Sequence, residues 1–100
     1  MIVEYIRYEI EDADAFLRAY EQARAALDSS RHCLAYELAR CVKAPSSFIL
    51  KIEWDSVEGH MQGFRKSPQF AEFLAAVRPF IGSLAEMRHY EVTAVAIRKD

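Results

Sequence analysis

The chain has 100 residues, an apolar fraction of 52%, an aromatic fraction of 12% and a formal net charge of −2. This length fits a single domain over residues 1–100, and the lack of a basic run excludes a typical nucleic-acid-binding surface. The longest uncharged apolar run is far shorter than the roughly 20 residues of a membrane-spanning helix. A strand-like pattern begins at once, so we expect no signal peptide and a cytoplasmic protein that does not bind membranes.

The first predicted element is a strand over Ile2–Ile10, where side chains alternate between two faces. Ile6, Tyr8 and Ile10 share one face with Glu4, and Tyr5 lies on the other. A helix follows, because acidic residues suit a helix start and apolar residues recur at helical spacing. That apolar stripe comprises Ala13, Phe16, Leu17, Tyr20, Ala23 and Leu27.

Two further strands are predicted over His32–Val42 and Phe48–Trp54, joined by a short turn as an antiparallel hairpin. Both faces of the first of these strands are largely apolar, so both are expected to be covered. Cys33 and Cys41 lie in the same strand, roughly 26 Å apart along it, which is too far for a disulfide. We therefore expect two buried thiols.

The second helical region is predicted in two pieces. Asp55, with Glu58 three residues later, indicates a capping-box-like start. Ser67 can cap a second piece, and Pro68 fits its first position. A last strand is predicted over Met87–Ile97.

The order of elements is β-α-β-β-α-β, which is typical of an α+β fold of the ferredoxin-like kind. Both helices then lie on one face of a four-stranded sheet. The other face needs a cover, and the high apolar fraction for so short a chain favours a second copy of it. The sequence therefore predicts a homodimer that forms an α+β barrel.

Two residues are the main candidates for chemistry. His60 shares a helical stripe with apolar neighbours, where an imidazole could take a proton from a phenolic substrate. Trp54 ends a strand and could stack on a planar ring. A core-edge histidine bonded to a backbone carbonyl, and a tryptophan that only packs between sheet and helix, remain open for these two positions.

Other aromatic residues are candidates for substrate binding. Tyr5 and Tyr36 could donate hydrogen bonds to a ligand, although tyrosines in strands usually cover the sheet. Phe64 and Phe73 belong to an aromatic set that could wall a pocket or simply form core, and His89 could line a pocket edge. The three histidines have no metal-ligand spacing, so no metal site is expected.

The segment from Trp54 through His60 to Ser67-Pro68-Gln69-Phe70 resembles the antibiotic biosynthesis monooxygenase (ABM) family. The Ile2–Ile10 strand with Ala13–Phe16, and the Met87–Glu91 strand, look similar too. This resemblance implies a dimeric α+β barrel with a pocket between sheet and helices. Family members include quinol monooxygenases that act on hydroquinones or anthrones with O₂ and use no metal, flavin or haem.

By position, the resemblance implies that Trp54 and His60 stack the substrate and handle its proton. A haem-degrading branch of the family needs an asparagine on the first strand, and this chain contains no asparagine. We therefore expect a cofactor-independent monooxygenase of a small aromatic quinol or polyketide-like phenol. The alternatives are a non-catalytic module that binds a small ligand or haem, and a domain that only dimerises.

Overall fold

A computed structural model of the chain, which describes residues 1–99, shows one four-stranded antiparallel sheet with helices on one face. The strands and α-helices are β1 (Ile2–Glu9), α1 (Ala13–Ser29), β2 (Cys33–Arg40), β3 (Ser47–Trp54), α2 (Pro68–Val77) and β4 (Leu84–Glu91). The strand order β2-β3-β1-β4 is that of the ferredoxin-like arrangement, so the predicted fold class is confirmed. β1 and β3 are central, and β2 and β4 form the edges.

The core lies between the sheet and the helices because one face of each central strand is apolar. Ile6 and Tyr8 of β1, with Leu50 and Ile52 of β3, are buried on this face. Glu4 occupies the same face and is only 2% exposed. A carboxyl group at such a depth needs polar partners, and it marks the part of the core where the site forms.

Helix α1 starts where Asp12 caps it, since Oδ1 of Asp12 accepts a hydrogen bond from the backbone N–H of Ala15 at 3.1 Å. Its buried stripe closely follows the predicted one and consists of Phe16, Tyr20, Ala23, Ala26 and Leu27. Leu17, which we placed in that stripe, is 38% exposed. It follows Phe16 directly, and one residue step turns a helical side chain about 100° away from the core.

The connection from β3 to α2 differs from the predicted helix. Ser56, rather than Asp55, caps its start, because the Ser56 hydroxyl accepts a hydrogen bond from the backbone N–H of Gly59 at 2.8 Å. A π-helical turn, Gly59–Gly63, follows, and a short 3₁₀ turn continues it. The predicted restart is confirmed, since Ser67 caps α2 and Pro68 takes its first turn.

The last strand is shorter at its C-terminal end than predicted. β4 ends at Glu91 because its partner β1 begins at Ile2, which pairs with Glu91. One more hydrogen bond, from the N–H of Val92 to the carbonyl of Met1 at 2.9 Å, closes the ladder. The part of the predicted strand beyond Val92 therefore lies outside the sheet, and Val95 is 94% exposed.

The expectation that both faces of β2 are covered is wrong. β2 is an edge strand, so its outer residues have few neighbours, and Leu34 is 59% exposed. Cys33 is half-buried and Cys41 is exposed, and both are free thiols. The two predicted buried thiols are thus corrected, while the absence of a bridge between them agrees with their spacing.

The π-helical turn is packed closely against His32, which gives a first testable prediction. His32 donates through Nδ1 to Asp55 at 2.8 Å, and a methyl group at Gly63 would overlap the His32 ring. We expect Gly63→Ala to lower the free energy of unfolding by about 1–3 kcal/mol, because the ring must leave Asp55. Urea denaturation measures the change.

Gly82 provides the matched control, since an added methyl group there meets no atom within 4 Å and its φ is not positive. Gly82→Ala should leave stability unchanged or raise it by about 0.4–1 kcal/mol. Equal effects of the two substitutions would show that contact with His32 does not matter.

Candidate functional site

A cavity of about 190 Å³ lies between the sheet, the π-helical turn and α2. Its wall is almost entirely apolar and aromatic, and its polar side chains are Glu4, Tyr8, His60 and Arg65. The aromatic and aliphatic lining includes Trp54, Phe64, Phe70, Phe73, Leu74 and Val77. Such a space suits a small planar ring that carries one or two polar groups.

Glu4 lies on β1, and its carboxyl group is fixed at the cavity by Trp54, the last residue of β3. The indole N–H of Trp54 donates to Oε1 of Glu4 at 3.1 Å, and both residues are nearly inaccessible to solvent. Glu4 also lies directly opposite His89 in the pairing of β1 with β4. Strand pairing therefore brings residues far apart in the sequence to one point of the core.

His60 comes from the π-helical turn and meets all three of these residues. Its imidazole stacks on the indole of Trp54, with ring centres 4.3 Å apart and planes inclined by 13°. Nδ1 of His60 shares a hydrogen bond with Nε2 of His89 at 2.7 Å, and Nε2 of His60 lies 3.6 Å from Oε1 of Glu4. The four side chains form one contiguous polar cluster, in which His60 contacts each of the other three.

Glu4, His60 and His89 offer ligand-type atoms that all lie within 4.8 Å of one another. A metal ion needs ligand atoms that converge on one centre, about 3 Å from each other. Here the two nitrogens of the His60 ring face different partners, His89 on one side and Glu4 on the other. This geometry fits a hydrogen-bonded histidine pair beside a buried carboxyl group better than a metal centre.

Burial is the main cause of the pKa shifts of Glu4, His60 and His89. It raises the pKa of Glu4 above its ordinary value, although the hydrogen bond from Trp54 opposes this. Burial, followed by the charges of His89 and Arg65, lowers the pKa of His60 to about 4. The pKa of His89 is also lowered, by burial and by Arg65. Both imidazoles are therefore neutral at pH 7.

The buried His60 makes the fold sensitive to acid. Because its pKa is 6.5 when unfolded and about 4 when folded, the unfolded chain binds the proton first and is stabilised as pH falls from 6.5 to 4. One pKa unit corresponds to about 1.4 kcal/mol. We expect His60 to account for a loss of about 3 kcal/mol of unfolding free energy over this range, measured by urea denaturation.

The control for this prediction is His60→Leu, which removes the titrating group and keeps an apolar side chain. Glu4 acts in the opposite direction, since its raised pKa stabilises the folded state as pH falls towards 4.5. His89 and Arg65 are present in both proteins, so the difference between wild type and variant isolates His60. Parallel stability curves for the two proteins from pH 7 to pH 4 would contradict the prediction.

The structure brings most of the candidate residues together. His60, Trp54, Phe64 and Phe73 line the cavity, and His89 contacts His60 from behind. Trp54 has one indole face covered by His60, so that face is closed to a substrate. The roles of these residues stay predictions, but their proximity is a property of the fold.

Tyr5 and Tyr36 do not reach this cavity. Tyr5 lies on the opposite face of the sheet and packs edge-on against Tyr90, with ring centres 5.5 Å apart. Tyr36 lies on the edge strand β2, where its hydroxyl donates to Asp28 and accepts from Arg24. Tyr5 faces away from the cavity because side chains alternate along β1. Tyr36 is distant from the cavity because β2 is the edge strand on the other side of the sheet.

Glu4 is the site residue that the sequence analysis did not select. The signal was present, because Glu4 is the one charged residue on the apolar face of β1. An acidic side chain in such a position is either paired or neutral, and both conditions point to a polar site within the core.

Comparison with known proteins gives consistent results along the chain. Residues 1–76 match the sequence profile of the family described as antibiotic biosynthesis monooxygenase. The uncharacterised protein YczJ of Bacillus subtilis (strain 168) is 26% identical over 90 residues, which cover 90% of this chain and 88% of YczJ.

Solved structures agree with the fold. A Bordetella bronchiseptica protein assigned to the antibiotic biosynthesis monooxygenases superposes with a TM-score of 0.79 at 26% identity, over 92% of this chain and 96% of its own. SnoaB, a cofactor-independent oxygenase from Streptomyces nogalater, superposes with a TM-score of 0.73 at 16% identity, over 99% of this chain and 97% of its own. Among residues 1–99, every helix is too short or too polar to cross a bilayer. The profile match spans most of the chain, and we conclude that the protein belongs to the antibiotic biosynthesis monooxygenase family.

Proposed function

We propose that the protein is a monooxygenase that oxidises a small aromatic quinol with O₂ and needs no metal, flavin or haem. The observation that carries this proposal is the aromatic cavity with Glu4 and His60 among its few polar side chains. A phenol bound in this cavity lies next to the neutral imidazole of His60, which can accept its proton. Membership of the monooxygenase family and the likeness to an oxygenase fold support the same reaction class.

The reaction balances without an added reductant. His60 accepts the phenolic proton, and the resulting electron-rich ring passes one electron to O₂. The ring radical and superoxide then combine into a carbon–oxygen bond, and loss of water from this peroxide leaves one oxygen atom on the ring. A hydroquinone and O₂ thus give a hydroxyquinone and water, so the substrate itself supplies every electron.

The size of the cavity selects among the expected substrates. An apolar cavity of about 150 Å³ can hold one benzene molecule, and this cavity measures about 190 Å³. A single-ring hydroquinone therefore fits more readily than a three-ring anthrone or another polyketide-like phenol. Haem is larger again, so the cavity favours a small substrate over that ligand.

A second candidate is a module that binds a small aromatic ligand without turnover. The observation in its favour is that both ring nitrogens of His60 already face protein partners, His89 and Glu4. An imidazole engaged in this way could orient a ligand rather than accept its proton. This candidate predicts ligand binding with no consumption of oxygen.

The experiment that separates the two is oxygen uptake at pH 7 with a panel of one-ring hydroquinones and three-ring anthrones, with no cofactor added. Each compound's own autoxidation is the blank, and Tyr36→Phe is a control because Tyr36 lies outside the cavity. Saturable uptake above the blank, fastest with one-ring compounds, is the expected result. Calorimetric binding of the same compounds with no uptake would favour the second candidate.

We further propose that the protein acts as a homodimer through the open face of its sheet. The residues of this face alternate along each strand with those that face the helices. The face carries side chains of both charges, and its apolar and aromatic members include Val3, Tyr5, Ile49 and Tyr90. Tyr90 is 43% exposed. A mixed face of this kind can match a second copy of itself across a two-fold axis.

Sedimentation velocity at micromolar concentration tests the dimer, with an expected mass twice that of the chain. Tyr90→Lys should shift the protein towards monomer, because it replaces an aromatic side chain of the contact with a charge. Val57→Lys is the matched control, since Val57 is 42% exposed and Tyr90 is 43% exposed, but Val57 lies beside the π-helical turn. A wild-type monomer at every concentration would refute the dimer.

A further inference from the structure

We propose that His60 and His89 form a proton relay, which carries the proton taken from a substrate in the cavity to solvent at the β4 edge of the sheet. This inference rests on the proposed function and assigns His89 a role that substrate binding does not require. A proton removed inside an apolar cavity needs a path to solvent, because a charge left there is poorly solvated.

The first support is the geometry of the two rings. Nδ1 of His60 and Nε2 of His89 are 2.7 Å apart, which is within hydrogen-bond distance. An imidazole can accept a proton at one nitrogen while it releases another from the second. The Nδ1 atom of His60 is engaged by His89, so Nε2 is the nitrogen left to take a proton on the Glu4 side.

The second support is the difference in burial between His60 and His89. His60 lines the cavity and is 4% exposed, whereas His89 is half-buried and does not line the cavity. His89 lies on β4, which is an edge strand of the sheet. The pair therefore connects the inside of the cavity with the border of the protein.

The third support is the charge around the two rings. Burial and the charge of Arg65 lower the pKa of both histidines, so each ring is neutral at pH 7 and carries a single ring proton. Glu4 lies on the other side of His60, with the indole N–H of Trp54 fixing its carboxyl group. A neutral pair in which each ring has one donor and one acceptor is the state that proton transfer along a chain requires.

The step conserves every proton. The phenolic O–H bond breaks and an N–H bond forms at Nε2 of His60, while the Nδ1–H bond of His60 breaks and an N–H bond forms at Nε2 of His89. The Nδ1–H bond of His89 then breaks and the proton passes to water. Return of a proton along the same path, when the peroxide is protonated, restores both starting tautomers.

The kinetic test uses His89→Ala and His89→Gln with the hydroquinone that gives the fastest uptake. We expect kcat to fall about 10- to 100-fold in both variants with KM within about twofold of wild type, because the substrate still binds but its proton leaves slowly. Added imidazole should restore kcat of His89→Ala in a saturable manner and leave wild type unchanged. His89→Gln keeps a hydrogen-bonding side chain but cannot relay a proton, so it separates the relay from loss of structure.

The outcomes of this test are distinct. Unchanged kcat in His89→Ala, or a fall that imidazole does not reverse, overturns the relay and leaves the monooxygenase proposal intact. No uptake by wild type with any compound overturns the monooxygenase proposal, and the relay with it.

A measurement that needs no turnover examines the starting state. Nitrogen-15 NMR of the imidazoles at pH 7 should show neutral His60 with its proton on Nδ1. A proton on Nε2 of His60, or a charged His60, overturns the relay.

Discussion

Replacing His60 by alanine is expected to lower kcat for oxygen uptake by about 100- to 10,000-fold, which is the range that a positioned proton acceptor contributes. His60 is the imidazole that lines the cavity, and it lies between Glu4 and His89. Without it, the phenol must lose its proton to water or to the carboxyl group of Glu4, which already accepts a hydrogen bond from Trp54. Initial rates with saturating hydroquinone at pH 7 measure the effect.

Two controls separate this chemistry from damage to the fold. His60→Gln fills most of the same volume and keeps a polar group beside Glu4, so it should fold like wild type and still be slow. Tyr36→Phe, on the edge strand β2 and outside the cavity, should retain the full rate. A rate in His60→Gln within about threefold of wild type would exclude His60 as the proton acceptor.

Phe16→Ala is expected to lower the free energy of unfolding by about 3–5 kcal/mol, the range for deleting a buried phenylalanine ring. Phe16 is 0% exposed, and it is in contact with four other rings. Their centres lie 4.9 Å away for Tyr8, 5.0 Å for Tyr20, 4.9 Å for Phe48 and 5.3 Å for Phe80. Removing the central ring leaves a void between the sheet and α1 that these neighbours cannot fill together.

Leu17→Ala is the matched control, because Leu17 is the next residue of the same helix and is 38% exposed. Its loss should cost about 1 kcal/mol or less, since only part of the side chain leaves the core. Urea denaturation followed by circular dichroism compares the two. Similar midpoints for Phe16→Ala and wild type would show that α1 does not depend on this aromatic contact.

The fold could be predicted from the sequence because hydrophobic alternation, helical spacing and capping residues all indicate the same order of strands and helices. Alternation marked the central strands, helical spacing marked α1, and Ser67 with Pro68 marked the start of α2. The end of β4 could not be predicted in the same way, since its alternating pattern continues past the point where β1 offers a partner. Strand length is set by pairing, which is a non-local property.

The site was only partly predictable for the same reason. His60, Trp54 and Phe64 are close in the sequence, so their proximity follows from one turn of chain. The contact of His60 with His89 depends on the order of strands and on the register that places His89 opposite Glu4. Tyr36 points towards the helices as well, but its strand lies at the other edge of the sheet, away from the cavity.

The stacking of His60 on Trp54 also provides an optical probe of the site. Trp54 is the single tryptophan of the chain, so all indole fluorescence reports on this one position. An excited indole readily transfers an electron to a charged imidazole, and its emission then dims. The ring-to-ring distance of 4.3 Å is close enough for this transfer. The emission intensity of the unlabelled protein should therefore follow the charge state of His60 directly, in the native protein and without any substrate.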